Sequence, residues 1–476
     1  TFSIFCDDSS ESGEFIMLDE FKKQTNVDVD LKIYPYETAT ERLNLDLNSG
    51  DYADVIGGWT LSDNAILTYG VNQGVFIPLE DYFEKYCPNI SAILDLPGVR
   101  EKMTAPDGHI YTIPYVCADS TVGYSPYINT KWLENVGMSM PTTTDEFEAV
   151  LKAFKEQDAN GNGDASDEIP FSTDPNNKHI EAMAGYFGLP MNKLGIAIQN
   201  EKVVYGGVSD TYREFLSWFH KLYAEGLVDV ELYTQDSSTW EGKGNQDLYG
   251  VSIAYGSGEF TGIPAAEERG DFDSMPVLNT DKDGIWLRDT EGFSVYRTQA
   301  VITNKAEHPE IICRWFDNAF ALENGIGCNR GPVGVIVNKE DDGYHAIDTT
   351  TLSEEDQEKY SWGNLWPQSL PKYLPADFEF VEEHPMYDEK KATEEAYEAN
   401  LTKEIIPSYW IDLDKIDTFS DTNTAIKDFF EQQQAQFVCG ELDIDNDADW
   451  QAYVDGMYSL GLEDWVATQG IEEIAK

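Results

Sequence analysis

The stretch from Pro106 to Gly137, PDGHIYTIPYVCADSTVGYSPYINTKWLENVG, constrains the fold more than any other part of the chain. Residues 110–115 alternate with the period of a short strand, and a second extended run covers residues 122–127. Asn129 or Thr130 can then cap a helix that ends at Gly137. Two tyrosine-bearing strands joined by small residues, followed by a helix, predict a chain that leaves one α/β lobe and enters another.

The N-terminal residues predict a sheet that begins as βαβαβ. Residues 1–5, 27–33 and 54–56 have strand patterns, and helical patterns lie between them. Ligands of open α/β sheets bind beyond the carboxyl ends of the strands. Asp7 and Asp8 follow the first of these strands and Trp59 follows the third, so all three are predicted near a ligand.

Several short motifs follow one another in order along the chain. They include DVIGGW at 54–59, DG-x-x-Y-x-x-P at 107–114, YSPYINTKWLENVGM at 124–138, PTTTDEF at 141–147 and GELDIDNDADWQAYVDGMYSLGLEDW at 440–465. Each motif alone is turn or cap chemistry, but their order is specific and covers nearly the whole chain. It resembles the extracellular solute-binding proteins of carbohydrate ABC importers, in particular their long lipoprotein branch.

This resemblance implies a two-lobe, periplasmic-binding-protein-like α/β fold with an interlobe ligand cleft and several chain crossings. We expect the N-terminal lobe to hold residues 1–116 and about 303–345, and the C-terminal lobe to hold residues 117–302 and about 346–440. The sequence assigns residues 441–476 to a helical segment without assigning its lobe.

The resemblance also implies a function without catalysis. A monomer of this family captures a carbohydrate by hinge closure and delivers it to the permease subunits of an ABC importer. In Gram-positive bacteria, a lipid-modified cysteine upstream of residue 1 would hold such a protein outside the membrane. The expected setting is therefore extracellular, at the cell surface.

The charge of the chain restricts the partners. Asp and Glu number 88 and Lys and Arg 32, which gives a formal net charge of −56. Such a field repels nucleic acid, anionic membranes and polyanionic sugars. The expected ligand is thus a neutral oligosaccharide, although acidity also serves simply to keep a secreted protein in solution.

Aromatic residues make up 13% of the chain, and neutral sugars pack their C–H faces on flat aromatic side chains. Planar polar side chains then bond the hydroxyl groups. The candidate ligand contacts lie near predicted strand ends and loops: Asp7, Asp8, Trp59, Tyr115, Tyr124, Tyr255, Glu259, Trp286, Arg330, Trp362 and Trp366. For each aromatic member, packing in the core is the alternative.

One loop has the pattern of a cation site. Its oxygen-bearing side chains recur at short spacing and are separated by glycines that let the chain wrap: Asp158, Asn160, Asn162, Asp164, Asp167 and Glu168. This pattern suits a hard cation with six to eight oxygen ligands. The family resemblance implies a structural Ca²⁺, but the closing acidic pair comes one residue later than usual, which leaves the roles of Asp164, Ser166 and Asp167 open. The alternative is a solvated acidic turn.

Enzyme motifs such as G-x-S-x-G, H-E-x-x-H and the P-loop are absent from the sequence. We therefore expect a binding protein. The alternatives are a binding protein for another solute, such as a peptide, and a secreted glycoside hydrolase with paired carboxylates.

The six cysteines lie far apart in the sequence and have no metal-ligand spacing. An even number permits disulfides in an exported protein, and Cys313 and Cys328 are the nearest pair. Isolated buried thiols are the alternative.

Overall fold

The computed structural model describes residues 1–7, 14–174, 179–262, 270–375, 377–381 and 385–475. The chain divides into two compact units. Unit 1 comprises Thr1–Asp119, Gly292–Glu383 and Trp410–Ile416, and unit 2 comprises Ser120–Glu291, His384–Tyr409 and Asp417–Lys476. The chain therefore passes from one unit to the other several times.

The strands, in chain order, are β1 (Phe2–Asp7), β2 (Val29–Tyr34), β3 (Val55–Gly57), β4 (Thr112–Ala118), β5 (Ser125–Asn129), β6 (Ile169–Thr173), β7 (Ile196–Gln199), β8 (Lys202–Tyr205), β9 (Tyr249–Ala254), β10 (Phe272–Ser274), β11 (Phe293–Ile302), β12 (Val337–Glu340), β13 (Gly343–Ala346) and β14 (Glu473–Ile474).

The α-helices, in chain order, are α1 (Ile16–Thr25), α2 (Tyr36–Ser49), α3 (Asp63–Ala65), α4 (Glu80–Tyr86), α5 (Pro88–Leu94), α6 (Val99–Met103), α7 (Thr130–Val136), α8 (Thr144–Glu156), α9 (Asp210–Ala224), α10 (Ser237–Asn245), α11 (Gly258–Thr261), α12 (Pro309–Asp317), α13 (Leu322–Arg330), α14 (Glu354–Lys359), α15 (Pro385–Tyr397), α16 (Ile416–Cys439), α17 (Asp447–Ser459) and α18 (Leu462–Thr468). Other helical types also occur: Ile66–Asn72 is a π-helix and Ile180–Phe187 is a 3₁₀-helix. None of the helices in the described ranges combines the length and the apolar character that crossing a membrane would need.

Unit 1 is built on a five-stranded sheet in the order β2-β1-β3-β11-β4. β1 runs parallel to both β2 and β3, whereas β11 is antiparallel to β3 and β4. This is the predicted βαβαβ beginning, extended by two strands that come later in the sequence. Its core packs Phe21, Trp315 and Trp366 together.

Unit 2 contains a four-stranded sheet in the order β10-β5-β9-β6 and a three-stranded sheet in the order β14-β8-β7. Its main core joins helices α8 and α9 to the long helix α16, through buried residues such as Phe154, Phe219 and Phe430. Both units are thus mixed α/β, which confirms the predicted fold class.

The chain passes from unit 1 to unit 2 within residues 106–137, as the sequence predicted. β4 lies in unit 1 and β5 in unit 2, and the division falls between residues 119 and 120. The Asn129 side chain caps α7 by accepting the Trp132 backbone N–H at 3.0 Å. Gly137 ends the helix with a φ of 69°, in the left-handed region that favours glycine.

The later segments divide differently from the expected boundaries. Residues 292–302, 346–383 and 410–416 lie in unit 1, although the sequence predicted them in the second lobe. The reason is backbone pairing: β11 sits between β3 and β4, and the backbone of Val116 in β4 bonds Lys372 and Leu374. Residues 441–475 lie in unit 2, where β14 pairs with β8.

The glycine-rich segment 325–334 is helical up to Arg330. A Cβ at Gly325 would lie 2.0 Å from the Tyr373 carbonyl oxygen. Glycine here allows α13 to pack closely against a neighbouring chain segment, so the glycines serve packing and do not mark a loop.

Candidate functional site

Three aromatic side chains of unit 1 form a patch on neighbouring elements. Tyr115 on β4 and Tyr296 on β11 are cross-strand partners, and their rings stack with centroids 5.6 Å apart. Trp59, just beyond β3, meets Tyr296 edge to face at 5.3 Å and is 45% exposed. We call these three residues the unit 1 patch. An exposed indole held by a second ring is a suitable platform for an apolar face of a ligand.

Asp7 holds Trp59 in place. Its carboxylate is fully buried and accepts the backbone N–H groups of Trp59 at 2.9 Å and of Thr60 at 2.6 Å. Gly58 has a φ of 130°, and a Cβ there would lie 2.2 Å from Asp7 Oδ1. The prediction that Asp7 contacts a ligand directly is therefore corrected, because both carboxylate oxygens are committed to the turn that carries Trp59.

Two cationic side chains border Tyr115. Lys372 Nζ lies 4.7 Å from the Tyr115 ring centroid. Burial raises the pKa of Tyr115, and the positive charge of Arg330 at the end of α13 opposes that rise. The Tyr115 hydroxyl donates to Asn329 Oδ1 at 3.4 Å. The structure thus brings together two predicted residues, Tyr115 and Arg330, that are remote in sequence.

A second group of rings lies in unit 2. Tyr124, directly before β5, stacks on His179 with centroids 4.0 Å apart and planes 11° apart. Tyr255, directly after β9, meets Tyr124 edge to face at 6.2 Å and is 36% exposed. We call Tyr124, His179 and Tyr255 the unit 2 patch. Burial, helped by the charge of Lys193, lowers the pKa of His179 to about 4, so the imidazole is neutral at neutral pH.

Lys390 on α15 fastens the unit 2 patch. Its Nζ lies 3.9 Å from the centroid of the Tyr255 ring and donates to the carbonyls of Tyr255 at 2.7 Å and Gly123 at 2.5 Å. Burial lowers the pKa of Lys390 to about 8. The lysine thereby links Gly123, directly before Tyr124, to Tyr255, directly after β9. It positions the two tyrosines of the patch.

Glu259 on α11 lies beside the same patch. Its Oε2 accepts the Tyr255 backbone N–H at 2.9 Å. Although Glu259 reaches the surface, the burial of its carboxyl raises the pKa. The Tyr255 backbone N–H and the charge of Lys390 oppose the rise, and the charges of Asp174 and Glu241 add to it. This side of the patch is therefore acidic, which disfavours a negatively charged ligand.

Two predicted ligand contacts belong to the cores. Trp286 is 1% exposed and packs against Tyr397 in unit 2, with ring centroids 5.6 Å apart. Trp366 is fully buried in unit 1 and stacks on Trp315 at 5.7 Å. The prediction that these two tryptophans are ligand platforms is therefore wrong, because no face of either indole is open to a ligand.

Two predicted ligand contacts remain, Trp362 and Asp8. Trp362 is 53% exposed in a short helical turn of unit 1, where its carbonyl accepts the Gln368 side chain at 3.0 Å. Asp8 lies outside the described residues.

The loop between α8 and β6 gathers most of the side chains predicted for a cation. Asn160 and Asn162 donate their amides to the two oxygens of Asp167 at 3.2 and 2.7 Å. Asp158 Oδ2 accepts the Gly163 backbone N–H at 3.0 Å. Asp164 instead bonds Ser166 in its own turn. The loop therefore converges on Asp158, Asn160, Asn162, Asp167 and the neighbouring Glu168.

Two carboxylate oxygens in this loop are suited to hold a cation. Asp158 Oδ1 and Glu168 Oε2 are buried, and neither has a hydrogen-bond partner among the residues that the structure describes. Burial raises the pKa of Glu168, and the charge of Asp167 adds to the rise. Buried oxygens without donors are costly unless a donor, a water or an ion satisfies them. The donor set is all oxygen, as a hard cation such as Ca²⁺ prefers.

Sequence reasoning missed Tyr296, His179 and Lys390. Tyr296 lies in a segment predicted as extended, but only the pairing of β11 with β4 puts it beside Tyr115. His179 and Lys390 reach the unit 2 patch from segments remote in sequence. No local pattern marks these residues, so three-dimensional packing alone identifies them.

A family profile described as bacterial extracellular solute-binding protein matches residues 9–325. The fructooligosaccharide ABC transporter substrate-binding protein FusA of Streptococcus pneumoniae is 33% identical over 335 residues, which cover 68% of this chain and 61% of FusA. Lipoprotein LipO of Bacillus subtilis is 28% identical over 280 residues, covering 57% of this chain and 52% of LipO. The match thus spans about half to three fifths of these relatives.

The fold is also similar to a solved structure. The structure of a FusA EF-hand mutant from S. pneumoniae in complex with fructo-nystose matches with a TM-score of 0.83 and 26% sequence identity. The match covers 98% of this chain and 97% of that chain. It confirms the predicted periplasmic-binding-protein-like fold class.

Proposed function

We propose that this chain, which belongs to the bacterial extracellular solute-binding proteins, captures a neutral oligosaccharide outside the cell and delivers it to an ABC import permease. The family is described as solute-binding proteins and FusA as a substrate-binding protein of an ABC transporter. The observation that carries the proposal is that each unit has its own fixed aromatic patch with a solvent-exposed ring.

The unit 1 patch supports stacking on a sugar ring. Trp59 is exposed, yet Asp7 holds its backbone and Tyr296 supports its indole. A platform that is already ordered loses little side-chain entropy on binding, so more of the stacking energy contributes to affinity. Arg330, beside Tyr115, adds a planar donor for hydroxyl groups.

The unit 2 patch supports the same chemistry with different groups. Tyr124 and Tyr255 offer ring surfaces, and Glu259 offers carboxylate oxygens that can accept from sugar hydroxyls. The carboxylates around Glu259 would repel an acidic sugar, which favours a neutral ligand.

The proposed ligand contacts of the two units together are Trp59, Tyr115, Tyr124, Tyr255, Glu259, Arg330 and Trp362.

A thermal-shift panel tests this function. The panel contains fructo-nystose, a neutral maltooligosaccharide, an oligogalacturonide and a short peptide, each with the same protein preparation. A ligand at 100 times its dissociation constant adds about 2.7 kcal/mol to stability. We expect a shift with a neutral oligosaccharide, and a shift confined to the peptide or to the uronic acid polymer would reject the proposal.

We also propose that the loop 158–168 holds one structural Ca²⁺. The buried oxygens of Asp158 and Glu168 that lack a hydrogen-bond partner support this proposal. The relative FusA has an EF-hand, since one of its solved structures is of an EF-hand mutant. A bound Ca²⁺ would supply positive charge that offsets the repulsion among the carboxylates. The chain residues that would hold it are Asp158, Asn160, Asn162, Asp167 and Glu168.

Chelation tests the cation proposal separately from sugar binding. The loop connects α8 to β6 and contributes no residue to either aromatic patch. Removal of the bound cation should therefore lower thermal stability. We expect EDTA to lower the melting temperature of the wild type, and Asp158→Ala to remove that response. Asp281→Ala, at an exposed turn of the same unit, is the matched control. Equal melting temperatures of the wild type with and without EDTA, together with no calcium by elemental analysis, would reject the site.

The remaining proposals concern the setting. The relative LipO is named as a lipoprotein, and we propose that a lipid-modified cysteine upstream of residue 1 tethers this protein, as a monomer, at the outer face of the membrane. Light scattering of the purified protein should give the mass of one chain. Radiolabelled fatty acid should enter the full-length protein in its native host. A dimer mass or an unlabelled protein would contradict the respective proposal.

A further inference from the structure

We propose that Cys87 and Cys313 of unit 1 form a disulfide bond in the secreted protein. Cys87 lies between α4 and α5, and Cys313 lies in α12. Both residues are fully buried in the core of unit 1. The proposal does not depend on the ligand, so it stands or falls apart from the proposed function.

Contacts on both sides of the pair bring the two chain segments together. The residue before Cys87 is Tyr86, and the residue after Cys313 is Arg314, whose guanidinium carbon lies 4.8 Å from the Tyr86 ring centroid. One turn further along α12, Asp317 Oδ1 accepts the Ile90 backbone N–H at 2.8 Å. These contacts bracket the cysteines and fix the backbone on either side of them.

A third contact strengthens this register. Asn89 Nδ2 donates to Asp317 Oδ2 at 2.9 Å and to the Asp317 carbonyl at 3.1 Å. The first turn of α5 is thereby attached to the last turn of α12. Cys87, directly before α5, must then lie alongside the middle of α12, where Cys313 sits.

The structure holds both residues as free, buried thiols. The neighbouring Cys87, ahead of burial, raises the pKa of Cys313. Cys87 is therefore the thiol next to Cys313, even though Cys328 is nearer in sequence. On backbone segments held in this register, the two side chains can rotate to reach disulfide geometry.

The oxidation balances with an external disulfide as oxidant. The two S–H bonds break and one S–S bond forms, and the two protons and two electrons pass to the oxidant, which leaves as two thiols. Extracellular compartments favour such exchange. Because both sulfurs are buried in the folded unit, the exchange takes place during folding, before the core closes.

Thiol counting tests the bond. The protein is secreted into an oxidising medium, denatured, and treated with a thiol reagent before and after reduction. The chain has six cysteines, so we expect four reactive thiols before reduction and six after it. A non-reduced proteolytic digest should contain one cross-linked species, which joins the peptides of Cys87 and Cys313. Six reactive thiols before reduction, or a cross-link between other cysteines, would overturn the proposal.

Variants give a second readout. Wild type that is reduced while unfolded and refolded in reductant should melt several degrees below the oxidised wild type, because the bond closes a long loop. The double variant Cys87→Ala/Cys313→Ala should melt at the same temperature with and without reductant. Cys439→Ser, at an exposed cysteine, should respond to reductant as the wild type does. Equal melting temperatures of the wild type refolded with and without reductant would overturn the proposal even if the double variant folds poorly.

Discussion

Acid should destabilise unit 2 through His179. The unfolded chain binds a proton at His179 near pH 6.5, whereas burial lowers the pKa of the folded residue to about 4. The unfolded state therefore binds more protons than the folded state between these two values. The stability that depends on a neutral His179 is consequently complete above pH 6.5, and it is lost as the pH falls towards 4.

The size of the effect follows from the shift. Each pKa unit corresponds to about 1.4 kcal/mol, so the shift sets an upper limit of about 3.5 kcal/mol on the stability lost through this residue. His179→Phe keeps an aromatic ring against Tyr124 but cannot titrate. The variant should therefore lose less stability than the wild type between pH 6.5 and 4.

Two assays check this expectation. Nuclear magnetic resonance of labelled histidine should show the His179 imidazole titrating near pH 4, and its signal should be missing in His179→Phe. Urea unfolding monitored at several pH values gives the free energies. His109 is the internal control, because its bond to Glu80 raises its pKa, so its stabilisation is present below pH 6.5 and is lost as the pH rises. Titration of His179 near pH 6.5 would refute the reasoning.

Further predictions concern the unit 1 patch. Trp59→Ala should weaken sugar binding by about 1 to 3 kcal/mol in calorimetry while leaving the melting temperature near that of the wild type; a large loss of stability would show that the indole is a core residue. Trp366→Ala should do the reverse and cost about 3 to 5 kcal/mol of stability, measured by urea unfolding, because it opens a cavity in the core. Asp7→Ala should lower both stability and affinity, since two backbone N–H groups lose their acceptor and Trp59 loses its anchor; unchanged affinity would show that Asp7 does not position Trp59.

Local signals explain what the sequence predicted correctly. The cap at Asn129 and the stop at Gly137 each depend on residues within a few positions of one another, and the structure shows both. Helix α16 was not predicted. Its apolar residues Ile426, Phe430 and Phe437 face a core, but a run of glutamines and other polar residues separates them.

Long-range pairing explains what the sequence did not show. Composition and position mark both Trp59 and Trp366 as aromatic residues near chain turns, yet one is exposed and the other is fully buried. Only the packing of Trp366 on Trp315 distinguishes them. In the same way, Asp7 was predicted near a strand end correctly, but its role depends on the distant turn at Trp59.

A calorimetric titration tests the central claim most directly. The ligand is the neutral oligosaccharide that gives the largest thermal shift, and the proteins are the wild type, Trp59→Ala, Tyr255→Ala and the exposed control Tyr458→Ala. We predict one site per chain in the wild type, at least a fivefold weaker dissociation constant for each patch variant, on the order of 1 kcal/mol, and no change for the control. Unchanged affinity in both patch variants, with the protein folded, would contradict the account.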